Sequence, residues 1–214
     1  MSRVDVRKTY KLYIGGEFPR SESGRSYPAL DARGRVVARV AQASRKDLRD
    51  AVRHARNAQA SWAARSGYNR GQILYRVAEM IEDRFETFVS QVQVTDPDRR
   101  RARREVTEAI DTIVWYAGWA DKFAQIYGNL NPVAGPFFNI SAPEPTGVVG
   151  IVAPQDSALL GLVSRLSAVL VSGNTAVVIA SESRPMPAVT LAEVLATSDV
   201  PPGVVNILTG HTDE

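Results

Sequence analysis

Two short polar turns carry the residues best suited to chemistry: Ala153-Pro154-Gln155-Asp156-Ser157 and Ala180-Ser181-Glu182-Ser183. Each lies at the end of an apolar run, Val148–Ala153 and Thr175–Ala180. Runs apolar on both faces belong in a parallel sheet covered by helices on each side. Open parallel sheets bind ligands at the carboxyl ends of their strands, so the two turns share a crevice if the strands pair. A helix starting at Ser157 would aim its amino terminus at that crevice, where free N–H groups attract phosphate. Glu182 is suited to accept hydrogen bonds from ribose hydroxyls, with Ser181 assisting. Asp156 would repel a phosphate and reads as a cap on its own helix. The layout suits a nucleotide, although no Gly-x-Gly-x-x-Gly follows the first strand. Taken alone, these residues also fit an ordinary polar loop.

Other chemistries find less support. The 214 residues contain no cysteine, so no thiol nucleophile, disulfide or zinc-thiolate site can be built from them. His54 and His211 have no second histidine or carboxylate at ligand spacing, so no metal site is expected. Ser157 lacks the sequence context of a serine nucleophile. The run Asp98–Arg104 reads as the start of a helix on a solvated face, not as a nucleic-acid contact. Trp115, Tyr116 and Trp119 stand at packing positions more than as a base-stacking platform. The net charge of +3 demands no nucleic-acid partner. No stretch is long and apolar enough for a membrane span. The first residues lack the apolar core of a secretory signal, and a cytoplasmic setting is expected.

The elements that must position the two turns follow from periodicity. Residues 10–43 read as a strand region, with a Gly15-Gly16 hairpin turn. Residues 44–127 read as three amphipathic helices in an antiparallel layer, the first capped by Ser44 with Asp47 in its first turn. The second starts near Asn69 and stops before Thr95, and the third runs from about Arg101 to Tyr127. A proline-rich arm with an exposed Phe137-Phe138 pair comes next. Residues 147–210 read as βαβαβ, with helices over Ser157–Val171 and Pro187–Thr197 and a third strand over Val204–Leu208. The fold class is therefore α/β: a Rossmann-like parallel sheet preceded by a strand region and a helical layer.

Seven segments in this order resemble the amino-terminal part of the aldehyde dehydrogenase superfamily: residues 13–18 (YIGGEF), 47–62, 69–84, 116–122 (YAGWADK), 144–154 (EPTGVVGIVAP), 172–182 (SGNTAVVIASE) and 201–210 (PPGVVNILTG). The resemblance implies an NAD or NADP site without the usual glycine fingerprint, formed by Val152, Ala153, Pro154, Gln155, Asp156, Ile179, Ser181 and Glu182. It also implies that residues 136–146 are an oligomerisation arm, pairing with further copies or with a full-length relative. Family chemistry is aldehyde oxidation through a cysteine nucleophile, with an asparagine in the oxyanion hole. Here that asparagine position is Asp156, acceptor-only when ionised, and a ribose-binding lysine position is Ile179.

Family members are much longer, and the resemblance places their cysteine, general base and glycine-rich phosphate loop beyond the matched part. The expectation is a cofactor-domain portion that is inactive by itself, with an apolar sheet edge exposed at its third strand. The alternative reading is a non-catalytic scaffold or regulatory subunit of a full-length relative.

Overall fold

In the computed structural model, which describes residues 7–211, the chain begins with strands β1 (Thr9–Tyr10), β2 (Ser26–Leu30) and β3 (Val36–Ala41). They form a sheet of order β1-β3-β2, with β3 parallel to β1 and antiparallel to β2. Between β1 and β2, Ile14 and Glu17 close a tight turn in which Gly15 and Gly16 have φ of 63° and 84°. A side chain at Gly15 would strike the His54 ring at 2.5 Å, so the turn takes glycine for space as well as for conformation.

The helical layer has more breaks than the periodicity suggests. Helix α1 (Arg45–Ala63) starts in a capping box, Ser44 accepting from the Asp47 amide and Asp47 from the Ser44 amide. Helices α2 (Gly67–Asp83) and α3 (Phe85–Gln93) replace the single second helix expected, with the chain leaving helical geometry at Arg84. Helix α4 (Arg99–Trp119) is capped by Asp98, and the short α5 (Phe123–Tyr127) is a separate turn. Both breaks fall in runs whose apolar spacing continues across them, which is why periodicity does not reveal them. The arginines at the start of α4 are engaged with acids: Arg99 and Arg103 with Glu86, Arg101 with Asp96. Trp115 is 56% exposed and stacks with Tyr116 and Trp119, projecting away from the core.

In the arm, β4 (Asn129–Leu130) and β5 (Ile140–Ser141) pair, and the Asn131 amide donates to the Asn139 carbonyl at 2.8 Å. The last part is β6 (Val148–Val152), α6 (Leu160–Val171), β7 (Thr175–Ile179), α7 (Met186–Thr197) and β8 (Val205–Leu208), a parallel sheet of order β6-β7-β8. Helix α1 packs on this sheet, and α6 packs between the sheet and helices α2 and α4.

The exposed edge differs from expectation. The outer side of β8 is bridged by the first hairpin: the Tyr13 amide donates to the Ile207 carbonyl at 2.9 Å and the Ile207 amide to the Tyr13 carbonyl at 2.7 Å. The Ala43 amide adds a bond to the Thr209 carbonyl at 2.8 Å. All four residues of β8 are buried, whereas Gly150 and Val152 of β6 are exposed. The open edge of the parallel sheet, among the described residues, is therefore β6.

Helix α6 is apolar almost throughout, so its polar ends must be met by other elements. At its carboxyl end Trp62 donates to the Leu170 carbonyl at 3.2 Å and Arg70 to the Val171 carbonyl at 3.1 Å. Arg70 is 8% exposed and also donates to the carbonyls of Ala63 and Arg65. Burial lowers its pKa from the usual arginine value, though not its role as a cation beside two helix carboxyl ends.

Asp47 provides a test of the strand–helix junction. Burial alone would raise its pKa, but donors from the Ser44 backbone, the Ser21 hydroxyl and the Glu22 backbone hold it below the ordinary carboxylate value. Its stabilising effect is thus fully present above the unfolded-state pKa of about 3.9 and is lost as pH falls through the folded value. Asp47→Ala is expected to cost about 1–2 kcal/mol at pH 7 and progressively less below pH 4, read from urea midpoints at the two pH values.

Candidate functional site

The pairing of β6 with β7 and of β7 with β8 sets Val152, Ile179 and Leu208 side by side in register. In a parallel sheet, residues in register point to the same face, so the three form an apolar row at the carboxyl ends. Val152 is 60% exposed, Ile179 half-buried and Leu208 buried. A cavity of about 440 Å³ opens beside this row, lined by Ile179, Leu208, Ser44, Arg45, Leu48 and His211. A second, of about 610 Å³, is lined by Tyr27, Thr95, Gln155, Glu182, Ser183 and His211. His211 borders both.

The two polar turns meet, and the structure shows what ties them. The Ala153 amide donates to the Ile179 carbonyl at 2.9 Å. The Gln155 side-chain oxygen accepts from the Ser181 hydroxyl at 2.7 Å, the Ser183 hydroxyl at 2.8 Å and the Ser183 amide at 3.1 Å. Arg184 donates to the Asp156 carbonyl at 3.0 Å. Pro154 lies against Gly161, where a side chain would meet its ring at 2.3 Å.

Two roles expected from the sequence fail. Asp156 does not cap α6: no side chain of the helix's own cap residue does, because α6 begins at Leu160 and that cap residue is Leu159. Nor is the amino terminus of α6 free for phosphate. A single oxygen of Glu105, from α4, accepts from the Leu159 amide at 3.0 Å, the Leu160 amide at 3.2 Å and the Ser157 hydroxyl at 3.4 Å. A carboxylate already occupies the positive end of the helix dipole. An apolar residue at the cap position of a buried helix is the one sequence signal that a donor-seeking group must come from elsewhere.

Glu182 is also engaged. Its Oε1 lies 2.6 Å from His211 Nδ1, and the His211 ring packs on Tyr27 with centroids 4.6 Å apart. Burial, with the Glu182 charge adding to it, pushes the Tyr27 hydroxyl above its ordinary pKa. The sequence offers His211 no carboxylate at local ligand spacing; the one it meets, Glu182, is distant in sequence and adjacent in space. No group of histidine, aspartate and glutamate side chains among the described residues is arranged to hold a metal ion.

Gln155→Ala removes the acceptor shared by Ser181 and Ser183. It is expected to cost about 1 kcal/mol of stability and to speed amide exchange at Ser183 without affecting β7, as measured by hydrogen–deuterium exchange.

The sequence model described as the aldehyde dehydrogenase family matches residues 20–214. Retinal dehydrogenase 2 of Mus musculus is 33% identical over 214 residues, covering 97% of this chain and 40% of that protein. Aldehyde dehydrogenase family 2 member B4, mitochondrial, of Arabidopsis thaliana is 34% identical over 213 residues, covering 97% and 39%. Among solved structures, an NAD+ complex of aldehyde dehydrogenase from Bacillus cereus aligns with a TM-score of 0.90 at 28% identity, over 96% of this chain and 42% of that one. An NAD-dependent aldehyde dehydrogenase from Sinorhizobium meliloti gives 0.91 at 28% identity, over 97% and 42%. This chain spans about two-fifths of the length of these relatives.

Proposed function

This chain belongs to the aldehyde dehydrogenase family, and from that premise we propose that it forms the cofactor-holding part of an NAD(P)-dependent oxidoreductase. The dinucleotide would lie across the carboxyl ends of β6 and β7, on Val152, Ala153, Pro154, Gln155, Asp156, Ile179, Ser181 and Glu182. The observation that carries the reading is the in-register row of Val152, Ile179 and Leu208 at the carboxyl ends of the strands, with His211, the partner of the Glu182 carboxylate, lining the cavity beside it. The apolar row suits the flat faces of heterocycles, and the carboxylate suits ribose hydroxyls.

The residues present fit the adenosine half better than the remainder. The cavity beside Ile179 is of the size that nucleoside-like ligands fill, whereas Ile179 offers no charged hydrogen bond and the Leu159 and Leu160 amides at the start of α6 are taken by Glu105. A ribose reaching Glu182 would compete with His211 for the carboxylate. A 2′-phosphate would meet the Glu182 charge, which favours NAD over NADP. When bound, the cofactor supplies a hydride acceptor. Residues 1–214 supply binding and orientation; they contain no cysteine, so in this reading they bring no thiol nucleophile to an aldehyde. Asp156, at the family's oxyanion-hole position, has no proton to donate when ionised and so does not stabilise a developing oxyanion. Among the described residues no helix is long and apolar enough to cross a membrane, and a cytoplasmic setting belongs to the same proposal.

A second reading is favoured by the arm. Phe137 and Phe138 are 73% and 77% exposed, and Leu130 and Ile140, which pair across β4 and β5, are exposed as well. It is a scaffold or regulatory subunit that docks on further copies or on a full-length relative through residues 136–146.

The deciding measurement is a calorimetric titration of this chain with NAD+ and NADP+. We expect NAD+ to bind with a Kd below about 1 mM, equivalent to about 4 kcal/mol, and NADP+ more weakly. Glu182→Ala should weaken NAD+ at least tenfold. Ile179→Lys should tighten it roughly ten- to hundredfold, by the about 1.5–3 kcal/mol of a charged hydrogen bond. No binding of either nucleotide would overturn the cofactor reading in favour of the scaffold.

A further inference from the structure

We propose that Glu105 is a positioning residue: from the helical layer, its carboxylate sets where the Pro154–Ser157 turn stands relative to Glu182. On the strand side this turn is tied to β7 and to the loop after it, through Ala153, Gln155 and the Asp156 carbonyl. On the helix side it is held through Glu105, whose one oxygen collects the Leu159 amide, the Leu160 amide and the Ser157 hydroxyl. Ser157 in turn accepts from the Gly161 amide at 3.2 Å, and Gly161 is the residue on which the Pro154 ring rests. Glu105 therefore reaches Pro154 through two intervening residues, Ser157 and Gly161, and Pro154 fixes the direction in which Gln155 and Asp156 leave the strand.

The arrangement calls for a hydrogen-bond acceptor on α4, and a carboxylate suits it. Glu105 lies one residue before Val106, on the edge of the α4 stripe whose Ala102, Val106 and Ala109 are buried, so its backbone belongs to a helix packed into the core. Bonds from amides to a carboxylate are stronger than neutral ones, and this carboxylate sits at the positive end of the α6 dipole. An apolar replacement would leave the Leu159 and Leu160 amides without this acceptor, in a helix end whose cap residue cannot provide one.

Which part of a dinucleotide Glu105 affects rests on the proposed cofactor reading; its effect on the turn does not. The experiment therefore has two arms on the 1–214 chain with Glu105→Leu and Glu105→Gln. In the first, amide exchange is followed by NMR. We expect Glu105→Leu to speed exchange at Leu159 and Leu160 about tenfold or more and to mobilise residues 154–158, leaving β7 and α4 protected. Glu105→Gln, whose amide oxygen still accepts, should restore most of the protection. Unchanged exchange at Leu159 and Leu160, or an equal rise through β7 and α4, would overturn the proposal, as would failure of glutamine to rescue.

In the second arm, NAD+ and 5′-AMP are titrated. Glu105→Leu should weaken NAD+ about tenfold and 5′-AMP less than twofold, because only the dinucleotide extends from Glu182 to the turn. Equal weakening of both would mean a structural role alone and would overturn the positioning claim. If the unmodified chain binds neither nucleotide, the cofactor reading fails, and the exchange arm with its glutamine rescue still decides the role of Glu105.

Discussion

Helix α6 is the element on which the remaining architecture depends, because it is buried and cannot satisfy its own ends. Most of its residues are apolar, and Leu162, Leu166 and Leu170 are nearly inaccessible. A helix end left unsatisfied in such surroundings costs about 1–3 kcal/mol for each orphaned group. The groups that satisfy it come from three other helices: Trp62 of α1 and Arg70 of α2 at the carboxyl end, Glu105 of α4 at the amino end. The positive and negative groups match the helix dipole at their respective ends. The helical layer is thus fastened to the parallel sheet by directional bonds as well as by apolar burial. Those bonds tie both ends of α6 to the helical layer.

The same logic governs the rim. The turn after β6 sits between α6 and the loop after β7, and each side of it is tied down by a shared acceptor: Glu105 on one side, Gln155 on the other. A rim organised in this way presents its remaining polar groups at defined places. Glu182 is one of them, steered by His211, whose ring is in turn held on Tyr27 from the first sheet. Three regions far apart in sequence therefore converge on one carboxylate. The apolar row at the strand ends, Val152, Ile179 and Leu208, follows from strand register alone.

Much of the fold is legible in the sequence. Continuous apolar runs at 148–153 and 175–180 define buried strands, and the Ser44–Asp47 spacing marks a helix start that the capping box realises. These are local signals, resting on the period of the side chains and on the chemistry of a cap. The breaks at Arg84 and near Asp121 are not legible, because apolar spacing continues through them. The edge of the parallel sheet also escapes sequence reading. Whether β8 is covered depends on Tyr13 and Ala43 arriving beside Ile207 and Thr209, and no local pattern records that approach.

The sequence by itself determined the α/β class, the family, the order of elements and the two turns at which a ligand would be met. It did so because those properties are written in neighbouring residues: alternation, caps, and a set of short motifs in order. Only the tertiary structure decided what the polar groups at those turns do. Asp156 leaves the cap role to Glu105, Gln155 becomes a shared acceptor, and Glu182 meets His211. Each of these pairings joins residues tens of positions apart. A hydrogen bond is set by distance and direction in space, and the chain order fixes neither until the helices and sheets have packed.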